Sequence, residues 1–146
     1  MFKNLDKYRD LGIFILRLGL GAMFLYHGWP KISGGVETWR GLGMAMGSIG
    51  MYSYPEFWGF MAAISEFGGA VLLITGFLMR PAALLMAFTM FVAAMMHLKN
   101  PEQGLKAASH AIESGVAFLS LVLIGPGDYA ISGKSASHKD KPNKKK

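Results

Sequence analysis

Glu66 stands alone among small and apolar residues, in Ala62-Ala63-Ile64-Ser65-Glu66-Phe67-Gly68-Gly69-Ala70. A carboxylate in such a setting either pairs with a cation or exchanges a proton with something brought to it. Three further apolar stretches carry ionisable residues of their own: Arg17 and His27 in the first, His97 near the end of the third, and His110 with Glu113 in the fourth. Imidazole and carboxylate groups gathered in an apolar place are suited to moving protons near neutral pH. The residues therefore divide by role. Glu66, His110 and Glu113 are expected to be catalytic, and His27, Glu66 and His97 to hold a ligand. Arg17 and Arg80 are expected to be counter-ions or packing devices. His110 and Glu113 are three residues apart, hence neighbours on a helix, and would form an entry route for protons to Glu66. The same His110-x-x-Glu113 spacing could contribute to a metal site in a helical bundle. Di-iron sites, however, use two Glu-x-x-His pairs and only one, reversed, is present, so no residue is assigned as a metal ligand.

These groups need elements to carry them, and the composition indicates which. Of the 146 residues 52% are apolar and only 16% charged, against about a quarter charged in soluble domains. Four apolar runs, about 11–29, 57–79, 81–98 and 105–124, are each close to the roughly 20 residues that cross a hydrocarbon core of about 30 Å. The expected fold is all-α, a polytopic membrane four-helix bundle occupying residues 1–133, with a lysine-rich disordered tail at 134–146. The connection from Pro30 to Pro55 is the longest. It carries Trp39 and Arg40 on a short interfacial helix, Glu37 to Met46, and aromatic residues at both ends suited to a membrane surface. In the second run Gly59, Ala62, Glu66, Gly69, Leu73 and Gly76 recur every three or four residues, a stripe that lets another helix approach and turns Glu66 toward protein. In the fourth, His110, Glu113, Ala117 and Ser120 share a face. Met86, Met90, Met95 and Met96 in the third read as core filler.

The chain has no cysteine, so it forms no thiolate site or disulfide from its own residues. Its formal charge of +6 does not indicate nucleic acid as a partner, because six of the fifteen basic residues fall within 134–146. The N-terminus, Arg80 and the tail together hold ten basic residues, against four in the other two connections, so both termini are expected in the cytoplasm. His27, Lys31, His97 and His110 then belong to the outer end, with Glu66 about 15 Å below it. Lys31 is expected to extend to lipid headgroups.

Arg17, His27-Gly28-Trp29-Pro30-Lys31, Glu66-Phe67-Gly68-Gly69, Gly76, Arg80-Pro81-Ala82-Ala83 and the closing Gly125-Pro126-Gly127-Asp128-Tyr129-Ala130-Ile131 are, in order and spacing, similar to the DoxX family. The resemblance spans nearly all of residues 11–133. It implies a four-helix protein of the bacterial inner membrane, related to the membrane subunit of archaeal thiosulfate:quinone oxidoreductase. The expected function is accordingly a quinone-linked or otherwise redox-associated oxidoreductase subunit with an outward-facing polar pocket. The cofactor is left open, with quinone as the candidate, and electrons are expected from a bound cofactor or from soluble or membrane redox proteins, since the chain has no dinucleotide fingerprint and no cysteine of its own. Two alternatives stand beside it: a non-catalytic membrane scaffold that recruits soluble redox partners or forms homo-oligomers through its small-residue faces, and a metal-binding membrane protein.

Overall fold

The computed structural model describes residues 5–131, and the lysine-rich segment 134–146 lies outside the described residues. Five α-helices follow in order: α1 Arg9–Ser33, α2 Gly35–Gly43, α3 Pro55–Thr75, α4 Met79–Lys99 and α5 Gly104–Ile124, with short 3-10 turns before α1 and after α2. There is no strand among the described residues. Four of the helices, all but α2, are long and apolar enough to cross a membrane. The all-α bundle of four spans and one short helix is therefore the fold that composition and periodicity imply.

Several boundaries differ from the sequence pattern: the short helix is Gly35–Gly43 in place of Glu37 to Met46, and the end of α1 and the turn from α3 to α4 shift for local reasons. The first helix runs through Pro30 to Ser33 and does not stop at Trp29. Pro30 removes the amide donor of Tyr26 O, yet the helix continues to Ser33, and two carbonyls of its last turn find side-chain partners. Ser33 Oγ donates to Trp29 O at 2.7 Å and the Trp39 indole to Lys31 O at 2.9 Å. At the other end of the bundle α3 stops at Thr75, because Gly76 takes the left-handed conformation (φ 75°) and its N–H closes on Leu72 O at 2.8 Å. The turn into α4 is Gly76–Leu78, two residues earlier than Arg80-Pro81. Pro81 lies in the first turn of α4, where its missing N–H costs nothing.

Packing places α3 between α1 and α4, with α5 on the far side of α4 and α2 laid across the start of α3. The core is made by Phe24, Leu73, Met86, Met90, Phe118 and Leu121 with alanines between them. α1 and α5 meet through side chains, Phe24 on Phe118 with ring centroids 4.8 Å apart. Large apolar side chains are exposed on the outside, Leu123 at 82% and Leu105 at 68%, which is the expected surface of a protein whose solvent is lipid.

The end that holds Leu5 and Ile131, the first and last described residues, is closed by Arg17. Its side chain is fully buried and donates to four backbone carbonyls: Nε to Leu73 O (2.8 Å), Nη2 to Ile74 O (2.8 Å), and Nη1 to Pro126 O (2.7 Å) and Tyr129 O (3.3 Å). The last carbonyls of a helix have no partner within it, so one guanidinium satisfies the end of α3 and binds the segment after α5 to it. Ile131 N adds a bond to Thr75 O at 3.0 Å. Arg17 is thus a packing device, and its partners are dipoles, not the carboxylate that a counter-ion would need. Arg80 is exposed and forms no ion pair among the described residues. Its guanidinium lies against Gly125, where a Cβ would come within 3.0 Å of Nη2.

Candidate ligand site

The opposite end of the bundle carries the chemistry. Glu66 is 3% exposed on the inward face of α3. Lys31, from the last turn of α1, places its Nζ 2.6 Å from Glu66 Oε1 and 2.5 Å from Oε2. The expectation that Lys31 reaches for headgroups is wrong, and the reason is geometric. A helical Cβ leans toward the helix N-terminus, so a side chain leaving the last turn of α1 heads back into the bundle, toward the level of His27 and Gly28. Gly28 brings the two helices together: a Cβ there would meet the Phe67 backbone at 2.9–3.0 Å, one residue from Glu66. The absence of a side chain at position 28 thus sets the separation that the ion pair spans.

The pair forms part of the wall of two cavities. The larger, about 970 Å³, lies between α3 and α4 under the connection that follows α2. Its lining is mostly apolar, including Met46, Phe57, Ile64, Leu85 and Phe88, with polar atoms at Lys31, Glu66, Ser65, Thr89 and His97. Thr89 Oγ1 lies 3.0 Å from Ser65 Oγ, linking the helices across the cavity wall. The smaller, about 190 Å³, lies where α1 faces α5 and is lined by His27, His97 and His110 beside Phe24 and Met90. Lys31, Glu66 and His97 border both spaces. The His27 and His110 rings are 5.8 Å apart, and His110 stacks on Phe24 at 6.3 Å between centroids. His97 is oriented by Gln103, whose Oε1 lies 2.6 Å from Nδ1.

The cover of the larger cavity is fixed from three sides. Gly59 allows α2 to rest on α3, since a Cβ there would fall 1.7 Å from Trp39 O. Arg40, on α2, bonds Glu56 at 2.7 Å and Glu37 at 3.1 Å. The bond to Glu56, with the charges of both carboxylates, holds the Arg40 guanidinium above its ordinary range. Lys99 Nζ donates to Ser48 O at 2.6 Å, fastening the end of α4 to the 3-10 turn.

Four of the five predicted active or binding residues, His27, Glu66, His97 and His110, thus meet at one place. Glu113 does not. It is exposed and lines neither cavity. The inward face of α5 is Ala108, Ala111, Ser114, Gly115, Phe118 and Leu121, and Glu113, two residues beyond Ala111, is turned by about 200° from it. His110, Glu113, Ala117 and Ser120 do share a side of the helix, but at Glu113 that side looks outward. The residues that sequence reasoning left out of the site are Lys31, Ser65 and Thr89. Lys31 had a legible signal, being four residues beyond His27 and hence on the same helical face. Among the described residues no three His, Asp or Glu side chains are grouped to hold a metal ion, so the metal-binding alternative has no ligand set there.

The DoxX family model matches residues 12–98, the stretch that includes Arg17, His27, Lys31, Glu66 and His97. The chain is similar to the inner membrane protein YqjF of Escherichia coli (strain K12), with 32% identity over 130 residues, 87% of this chain and 94% of that protein. No solved structure matches the chain.

Proposed function

From the premise that this chain belongs to the DoxX family and is an integral membrane protein, we propose that it binds a lipid-soluble quinone-class ligand as a redox-associated subunit of the inner membrane. The observation that carries the reading is an ion pair between the half-buried Lys31 and the buried Glu66, in the wall of an otherwise apolar cavity of about 970 Å³. That size lies within the range of sites for small organic ligands, which join an apolar lining to a few placed polar groups. Polar groups held in an apolar wall suit a molecule with a polar head and an apolar body.

When bound, a quinone supplies two-electron, two-proton redox chemistry. The chain's own part is binding and proton handling. The Lys31 ammonium can donate a hydrogen bond to a carbonyl head while Glu66 holds it in place. The Ser65 and Thr89 hydroxyls offer further hydrogen-bond partners. His27, His97 and His110 line the smaller space behind the pair and can pass protons between it and the surface. Electrons come from a partner protein, soluble or membrane-bound. With ten basic residues placed on the side of the termini and four on the other, the site end faces outward and both termini are cytoplasmic.

The test is equilibrium binding of a short-chain quinone analogue to the full-length protein in nanodiscs. Glu66→Gln should weaken binding at least ten-fold, because Lys31 loses its fixed partner. Unchanged affinity in the variant would remove the reading.

A further inference from the structure

The larger cavity is open on the side that faces lipid. Phe57, Ile64 and Val71 follow one another at intervals of seven on α3, and Leu85, Phe88 and Met96 lie along α4. All six line the cavity, and all six are also exposed on the outside of the bundle. Residues seven apart share a side of a helix, so each helix offers one rim, and the space between the rims is a slot that opens sideways into the bilayer. Its outer end is roofed. Gly43 and Met46, where the chain leaves α2, line it there, and the bonds from Arg40 to Glu56 and from Lys99 to Ser48 hold that roof in place.

The length of the slot and the place of its polar groups narrow what fits. From Phe57 to Val71 is about 21 Å along α3, most of a hydrocarbon core of about 30 Å. Apart from His97 near the outer end, the polar side chains share one level: Ser65 with Thr89, and Glu66 with the ammonium of Lys31. That level is about 14 Å from Phe57 and about 8 Å from Val71. Beyond it, toward Val71, Leu72, Ala82 and Leu85, the wall is apolar. Lys31 and Glu66 neutralise each other, so the polar level offers hydrogen bonds without a net charge and suits an uncharged head. A volume of about 970 Å³ is at the upper end of the range for small-molecule sites, and a compact ring held at the polar level leaves much of it unfilled.

Resting on the reading that the site takes a quinone-class head, we infer that its ligand carries a long isoprenoid or alkyl chain and is delivered from the bilayer through the mouth between α3 and α4. The head stops at the level of Ser65, Glu66 and Thr89, and the chain lies in the slot toward Val71 and Leu85. The roof closes the outer end, whereas the sideways route keeps an apolar molecule in hydrocarbon all the way to the polar level. Lipid tails are as apolar as the slot, so the chain gains packing and not release from water. Its advantage over a separate lipid tail is that the bound head already holds it beside the slot. The expected gain is therefore moderate.

The test compares one quinone head carrying a short chain with the same head carrying a long isoprenoid chain. Both are bound to the full-length protein in nanodiscs, with each affinity expressed against the ligand's mole fraction in the lipid so that partitioning cancels. On that scale the long chain should bind at least five-fold tighter. Ile64→Trp and Leu85→Trp, on opposite rims, should cut that advantage to less than two-fold, whereas Val116→Trp, exposed on α5 and outside both cavities, should keep it. Equal affinity for the two chains, the result if lipid tails fill the slot, overturns the inference, as does an advantage that both rim variants leave intact. In either case a short-chain affinity that still falls in Glu66→Gln leaves the ligand site standing. Affinities of both ligands that ignore Glu66→Gln remove the site and the inference together.

Discussion

The two ends of this bundle each hold a cation, and they do so in opposite ways. Arg17 is surrounded by four backbone carbonyls, whereas Lys31 is held by one carboxylate in the wall of two cavities. Carbonyls neither titrate nor move without unwinding a helix, so the Arg17 end is a fixed clamp. A carboxylate can gain a proton and an ammonium can lose one, so the Lys31 end can answer a ligand. The choice of residue follows the same division. A planar guanidinium with five N–H donors serves several acceptors at once, while a flexible ammonium at the tip of a four-carbon stem suits a site that must adjust.

Removing the clamp should have the largest effect. Arg17→Met leaves the last carbonyls of α3 and the segment around Pro126 without donors, and the expected loss is about 3 kcal/mol or more. Arg17→Lys should recover little of it, since one ammonium cannot reach four carbonyls on two segments. Denaturation in a fixed detergent would measure both, and near-full stability of the lysine variant would contradict the clamp.

The Lys31 end should respond differently to loss of one partner and of both. Glu66→Leu leaves the half-buried Lys31 ammonium without its partner and should cost about 1.5–3 kcal/mol. The double variant Lys31→Met with Glu66→Leu should regain most of that stability, because a matched apolar pair suits the cavity wall. It should not regain quinone binding. A double variant as unstable as the single one would mean that this pair, like Arg17, is part of the scaffold.

A smaller effect is expected one turn away. Gly28→Ala puts a Cβ within 3.0 Å of the Phe67 backbone, which forces α1 away from α3 and should cost about 1–3 kcal/mol. Quinone affinity should fall as well, since the pair is stretched; melting and binding measured on the same nanodisc sample would show whether the two effects travel together.

The four spans were legible because apolar length against a bilayer is a coarse requirement that local detail rarely overturns. Helix ends were less so. Pro30 reads as a stop, yet α1 runs on to Ser33 and its end is held by bonds from Ser33 and from Trp39, eight residues beyond Lys31. The site was legible where a residue had few alternatives, as with Glu66; at Lys31 the spacing from His27 gave the face, but not which way the long side chain turns along the helix. Glu113 shows the opposite failure. Its face was grouped correctly, but the pattern of α5 around Glu113 does not say which side meets the bundle, because the nearby inward residues, Ala108, Ala111, Ser114 and Gly115, are small. What no pattern could supply is that one ion pair separates a large apolar cavity from a small one lined by histidines.

The most direct test of the account is where a ligand rests. A quinone analogue carrying a photoreactive group on its ring, incorporated into nanodiscs with the full-length protein and mapped by mass spectrometry after illumination, should label α3 and α4 around Ser65, Glu66 and Thr89. That labelling should be lost in Lys31→Met. Label spread evenly over the lipid-facing sides of the four spans, unchanged in the variant, would contradict the claim that the Lys31–Glu66 pair marks a ligand site.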